Sequence, residues 1–301
     1  MLASLAAGLA LLGAGPAADS PVLVGYVPAW SYEQVPEKAY ASVTDVIAFS
    51  VEPTRGGRIE SKDLPEPVMN HLVEKRKVHG FRLLLAIGGW ERSSGFASVS
   101  ADVGKREKFA REVKGWVEKY QLDGIDLDWE HPKDAKEARD YAALARSIKR
   151  AIGKEKLVTA AMAAWQEFPP ELVFALDRLH LMSYDHPREH STKEQAVRDV
   201  EAVSFKGVPK DKIALGVPFY GRNIEKFDEA KSARDLLGDT TRQGNRAGDF
   251  FFNDQPTLRE KVAYAKEQKL AGIMVWELSQ DTVAGTLIDT LREALGLGRD
   301  E

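Results

Sequence analysis

The 301-residue chain contains no cysteine. Its absence excludes disulfides, a thiol nucleophile, a thiolate metal site and a lipidated N-terminal Cys. The six histidines, His71, His79, His131, His180, His186 and His190, show no H-E-x-x-H or paired spacing, so no metal is expected. There is no Gly-x-Ser-x-Gly elbow and no phosphate loop, and no cofactor is expected. An excess of basic residues is missing too: the net charge of −4 leaves no footprint for nucleic acid. No internal repeat, linker or break in composition divides the chain. With 44% hydrophobic and 29% charged residues it reads as one ordinary globular domain.

Long apolar runs are also scarce. The small-residue run at positions 2–14 falls short of the roughly 20 residues that span a bilayer, and no membrane partner is expected. Followed by Pro16-Ala17-Ala18-Asp19, it fits the apolar part of a secretory signal, cleaved after Ala17 or Ala18, although no Lys or Arg precedes it. The expectation is therefore a signal peptide at 1–18 and an exported domain at 19–301, secreted or periplasmic.

The most informative stretch is Asp123-Gly124-Ile125-Asp126-Leu127-Asp128-Trp129-Glu130. Asp126, Asp128 and Glu130 alternate with Ile125, Leu127 and Trp129. In a strand, alternate side chains point to opposite faces, so three carboxyls share one face and three large apolar groups the other. A helix cannot do this, because positions i and i+2 do not face each other. Same-face neighbours lie only about 6.6 Å apart at Cα. Three acids that close cannot all ionise cheaply, so at least one should hold a proton near neutral pH. A protonated acid beside a carboxylate is what glycosidic bond cleavage needs. A calcium loop also spaces acids by two, but it needs a glycine and further oxygen ligands downstream, where Trp129 and His131-Pro132 stand instead.

Around this stretch, short apolar strands alternate with helices. Strands are expected at 22–28, 43–50, 81–87, the acid-bearing stretch, 157–162, 178–184, 212–218 and 271–276. Helices are expected at 66–79, 104–120, 135–152, a short one opened by Pro169-Pro170, then 193–203, 255–269 and 283–295, with a looser stretch at 223–254. Eight such units imply parallel pairing and a closed (β/α)8 TIM barrel, an α/β fold of about 250 residues. Active sites in that fold lie at the C-terminal ends of the strands, where Glu130 falls. Trp30, Trp90, Trp165 and Trp276 fall at or beyond strand ends, where flat faces could stack on sugar rings. That function is preferred for Trp90 and Trp276 and left open for Trp30 and Trp165. Trp116 and Trp129 are expected to be packing residues.

The four acids at fixed spacing, Asp-x-x-Asp-x-Asp-x-Glu, closely resemble the signature of family 18 glycoside hydrolases, the chitinase family. The resemblance extends over about 22–294: Gly25-Tyr26, Ala48-Phe49, Gly88-Gly89-Trp90, Met182-Ser183-Tyr184-Asp185, Pro218-Phe219-Tyr220-Gly221-Arg222 and Val275-Trp276-Glu277. It implies that Glu130 is the general acid and then base, that Asp128 orients and stabilises the substrate's acetamido group, and that Asp126 shares a proton with Asp128. It gives Tyr184 a hydrogen bond to the acetamido carbonyl. Tyr26, Phe49, Gly89, Trp90, Met182, Asp185, Tyr220, Arg222 and Trp276 would shape the binding site. Asp123, at the strand's entrance, is expected to be structural.

Two departures stand out. Ala86 occupies the position of a serine that helps hold the innermost acid in the family. Only about 50 residues separate Arg222 from Gly272, too few for the α+β module many members insert there, so one wall of the cleft should be low. The implied activity is retaining, substrate-assisted, endo-acting hydrolysis of β-1,4-linked N-acetylglucosamine by a monomer. The same chemistry on peptidoglycan or an N-glycan core, and a non-catalytic sugar-binding protein on this fold, are the alternatives. Relatives of that last kind typically lose the acid that Glu130 supplies here.

Overall fold

The structure is a computed structural model that describes residues 20–298; the expected signal segment lies outside them. Eight parallel strands follow the expected order: Val22–Pro28, Asp45–Pro53, Arg82–Gly88, Gly124–Asp128, Leu157–Met162, Arg178–Leu181, Ile213–Pro218 and Gly272–Trp276. Each pairs with the next, and the eighth pairs with the first through Val22↔Gly272 to Gly25↔Val275. The sheet therefore closes on itself and leaves no barrel edge, giving the expected (β/α)8 barrel.

The helix Ala135–Ile152 shows how the outer layer forms. Asp134 caps it by accepting the Glu137 N–H at 2.8 Å, and Gly153 ends it. Tyr141, Leu144, Ala145 and Ile148 recur at helical spacing and are fully buried against the strands. Each large side chain so buried contributes about 1.5–3 kcal/mol. The helices Glu66–His79, Val103–Lys119, Lys193–Phe205, Gln255–Glu267 and Thr286–Leu295 surround the barrel in the same way. Among the described residues no helix is long and apolar enough to cross a membrane.

Several boundaries differ from expectation. The second strand starts at Asp45 and runs on to Pro53. The sixth ends at Leu181, not Tyr184, because the Ser183 N–H turns back to the Leu181 carbonyl at 2.9 Å and takes the chain out of the ladder. The last helix begins at Thr286, where the buried Asp281 carboxylate accepts the N–H groups of Leu287 and Ile288. Short helices at Glu37–Ser42 and Phe96–Ala101 were not foreseen.

The larger correction concerns the stretch read as loose. With Tyr220–Asn223 leading into it, it forms a four-stranded antiparallel sheet, in the order Ala230–Ser232, Tyr220–Asn223, Phe250–Phe251, Arg246–Ala247, with a helix at Ala233–Leu237. Strands of two to four residues carry too little alternation to be seen in a sequence. The turn from Phe227 to Ser232 reaches the mouth of the barrel, so the wall expected to be low is built by this small sheet.

Candidate active site

Strand parity sorts the side chains of the fourth strand as expected. Ile125 and Leu127 are buried toward the helices, and Trp129 stacks on Phe96 at 5.3 Å. Asp126 and Asp128 face the barrel interior, and Glu130 follows just beyond the strand's last residue. The third strand's ending keeps this column in place. The Gly89 N–H bonds the Asp128 carbonyl at 2.7 Å, and Ser93 Oγ accepts the Glu130 N–H at 3.0 Å. Gly88 approaches so closely that a Cβ would lie 2.2 Å from the Asp128 carbonyl oxygen. At Gly89, φ is +110° and a Cβ would meet the Phe49 ring at 2.4 Å. Gly89 therefore does not line the cleft; it makes room for Phe49, which does.

Asp126 lies deepest and is fully buried. It accepts the Tyr26 hydroxyl at 2.6 Å and the Thr159 hydroxyl at 2.5 Å, with His180 Nδ1 3.1 Å from Oδ1. Asp128 sits above it, at the cleft floor, with its buried Oδ1 unpartnered within the protein. Burial first, then the charges of Glu130 and Asp126, push the Asp128 carboxyl well above its ordinary range. Burial and then the Asp185 charge raise Glu130 to about 7, against a hydrogen bond from the Trp90 backbone.

Asp185 moves the other way. Burial alone would raise it, but hydrogen bonds from Arg222 and Tyr220, with His190 Nδ1 3.5 Å from Oδ1, hold it well below the usual carboxylate range. Arg222 makes a two-point contact at 2.5 and 2.8 Å, and the Tyr220 hydroxyl donates at 2.6 Å. The site thus holds carboxyls whose environments drive their protonation apart, the condition for separate acid and anion roles.

These groups open into a cleft of about 880 Å³. Trp276 lies against Tyr26 and Phe49, at 5.5 and 4.8 Å between ring centres, with Met182 and Tyr184 beside it in the lining. Trp30, Trp90 and Trp165 are 59%, 69% and 65% exposed and offer ring surface to a ligand, with the Arg92 guanidinium over the Trp30 ring at 5.8 Å. All three line the cleft, whereas Trp129 is buried and Trp116 half-buried against the core. Thr159, Ser93 and Arg92 were not singled out by sequence reasoning, since a lone hydroxyl or surface arginine carries no spacing signal. His131 joins the lining, 4.7 Å from Trp165 between ring centres and 3.5 Å from Glu130 Oε2.

The raised Glu130 has a consequence for stability. Its native pKa of about 7 exceeds the ordinary 4.5, so native protein holds the proton more tightly than the unfolded chain. The stability linked to that proton is fully present below about pH 4.5 and is lost as the pH rises through about 7. Glu130→Gln should therefore melt higher than the parent at pH 8, by at most about 3 kcal/mol, and alike near pH 4. Thermal denaturation at the two pH values checks this; an equal difference at both would show that Glu130 is not raised.

Residues 22–281 match the profile of glycosyl hydrolases family 18. Chitinase 1 of Aphanocladium album is 25% identical over 284 residues, covering 74% of this chain and 67% of that protein. Chitinase A1 of Niallia circulans is 24% identical over 303 residues, covering 72% of this chain but only 43% of its own length. The barrel is shared with a solved chitinase from Bacteroides thetaiotaomicron (TM-score 0.82, 22% identity, 94% of this chain and 99% of that one). It is also shared with a Cycas revoluta chitinase solved in complex with (GlcNAc)3 (TM-score 0.78, 21% identity, 91% and 99%).

Proposed function

The chain belongs to family 18 of the glycosyl hydrolases and is a chitinase-type glycosidase, and we propose that it cleaves β-1,4 bonds between N-acetylglucosamine units by a retaining, substrate-assisted route. The observation that carries the proposal is the column of carboxyls rising from Asp126 through Asp128 to Glu130 beside Trp276. A sugar resting on Trp276 would place its acetamido group over Asp128 and its glycosidic oxygen by Glu130. Glu130, protonated below about pH 7, gives its proton to the leaving oxygen. The acetamido oxygen attacks C1 as that bond breaks, while the free Asp128 Oδ1 accepts a hydrogen bond from the acetamido N–H and Tyr184 holds the carbonyl. Water then opens the cyclic intermediate, with Glu130 as base. Asp185, kept anionic by Arg222 and Tyr220, and Met182 complete the pocket wall.

Product analysis on chitin oligomers and on peptidoglycan in parallel tests the substrate. Shorter N-acetylglucosamine oligomers are expected from the first. Release of fragments from peptidoglycan alone would assign the same chemistry to a different polymer.

We also propose internal cutting. The cleft is flanked by exposed tryptophans, and its wall after the seventh strand is only a sheet of two- to four-residue strands, which leaves a polymer room to enter from the side. Early digests of insoluble chitin should contain mixed lengths, and a large excess of disaccharide in them would count against this. Export as a monomer goes with the proposal. N-terminal sequencing of the mature protein should begin at Ala18 or Asp19, and a retained Met1 on exported protein would refute cleavage.

A further inference from the structure

Below the carboxyl column the barrel interior holds charge, where such barrels are usually filled with branched apolar side chains. Arg82 makes a two-point pair with Asp45, with Nη2 to Oδ2 at 3.0 Å. Arg178 Nη2 donates to the same carboxylate at 2.6 Å, and its Nε donates to His180 Nε2 at 3.0 Å. Asp45 and His180 are fully buried. A guanidinium has only donors, so His180 Nε2 must accept, and the single proton of a neutral imidazole then lies on Nδ1. Burial, the largest influence on His180, favours that neutral form.

Nδ1 faces Asp126 Oδ1 at 3.1 Å and the Tyr26 hydroxyl oxygen at 3.0 Å. The Tyr26 hydroxyl already gives its own proton to Asp126 Oδ2, so its oxygen is free to accept. Thr159 donates to Oδ1 from the fifth strand. Ala86 stands in register with Asp126 on the third strand and has no hydroxyl to give. The titratable and charged groups facing His180 are Tyr26, Asp45, Asp126 and Arg178, with Arg82 behind Asp45. The seventh strand sets Ala214 in register with His180, and the eighth turns Met274 into the same interior cluster, neither bringing a charge.

We infer that the Arg82–Asp45–Arg178 chain fixes His180 as the Nδ1–H tautomer, and that His180 is a positioning residue holding Asp126 as the carboxylate. The pair's remaining proton is then left to Asp128, whose Oδ1 has no partner in the protein. This rests on Asp126 and Asp128 being the acid pair of a glycosidase. It corrects the simpler expectation of a proton shared evenly between them.

Two experiments test it. Nitrogen-15 NMR of histidine-labelled protein reads the tautomer without any turnover. His180 should be neutral, protonated on Nδ1 and unchanged from about pH 5 to 8, against an ordinary histidine value of about 6.5. An Nε2–H tautomer, or titration within that window, overturns the inference whatever the substrate is.

The second experiment is kinetic. On a substrate the parent enzyme cleaves, the acid limb of the kcat–pH profile reports a second proton reaching the Asp126–Asp128 pair. Removing one hydrogen bond to a carboxylate should move that limb up by about one pH unit. His180→Leu should show this shift with KM little changed. His180→Asn, whose amide can still donate toward Asp126, should shift less. Ala86→Ser in the Leu background should bring the limb back, because its hydroxyl stands in register with Asp126. An unmoved limb in the Leu variant, or no recovery with Ala86→Ser, overturns the role of His180. Should the Leu variant not fold, the Asn variant with and without Ala86→Ser gives the same comparison. Failure of the parent enzyme to cleave any N-acetylglucosamine polymer would refute the proposed function, while the NMR result would still decide the tautomer.

Discussion

Glu130→Gln is expected to lose hydrolysis by about 10²–10⁴-fold or more while retaining oligosaccharide binding. Glutamine keeps the size of the side chain and can keep the contact with the Trp90 backbone, but it has no proton to give. Other carboxyls are poorly suited to replace it. Asp128 is raised well above its usual range but sits one step deeper, at the cleft floor. Asp185 is locked as an anion by Arg222, Tyr220 and His190. The stacking surfaces of Trp30, Trp90, Trp165 and Trp276 are untouched by the change, so affinity should survive. Paired measurements of kcat on chitin oligomers and of binding by calorimetry check this. Near-full activity in the variant would remove Glu130 from the acid role.

The fourth strand was legible because its two faces differ so sharply. Acids at alternate positions with Ile125, Leu127 and Trp129 between them leave one orientation open, and the barrel follows from strands repeating with helices. The floor of the site was legible only in part. Alternation along the sixth strand puts His180 on the same face as Met182 and Tyr184, but the groups around it, Arg178, Asp45 and Arg82, sit on three different strands. Their meeting depends on barrel closure and register, which no local spacing records. Thr159 escaped notice for the same reason: its hydroxyl matters only because the fifth strand places it beside Asp126. The small sheet after the seventh strand was missed because its pairing joins segments up to about 30 residues apart through strands too short to show alternation.

Fully deacetylated chitosan is expected to resist cleavage, and the first product from acetylated substrate should be the β-anomer. In an ordinary retaining glycosidase two carboxyls flank the bond, about 5–5.5 Å apart, and one attacks from the face opposite the acid. Here Asp128 ends the fourth strand and Glu130 follows just beyond it, so both carboxyls reach the cleft from the same wall. Neither is placed to attack C1 from behind while the other protonates the leaving oxygen. Asp185 is the other carboxylate near the reacting end, and its oxygens are engaged by Arg222 and Tyr220. The nucleophile left is the substrate's own acetamido oxygen, as in substrate-assisted glycoside hydrolysis. A sugar lacking the N-acetyl group over Asp128 then has no nucleophile, and loss of rate should be near complete rather than graded. Displacement by the neighbouring acetamido group followed by water inverts C1 twice, which returns the β configuration. Proton NMR of early products distinguishes the anomers before they equilibrate. Initial release of the α-anomer, or efficient cleavage of chitosan, would mean that a protein carboxylate or a directly activated water attacks instead.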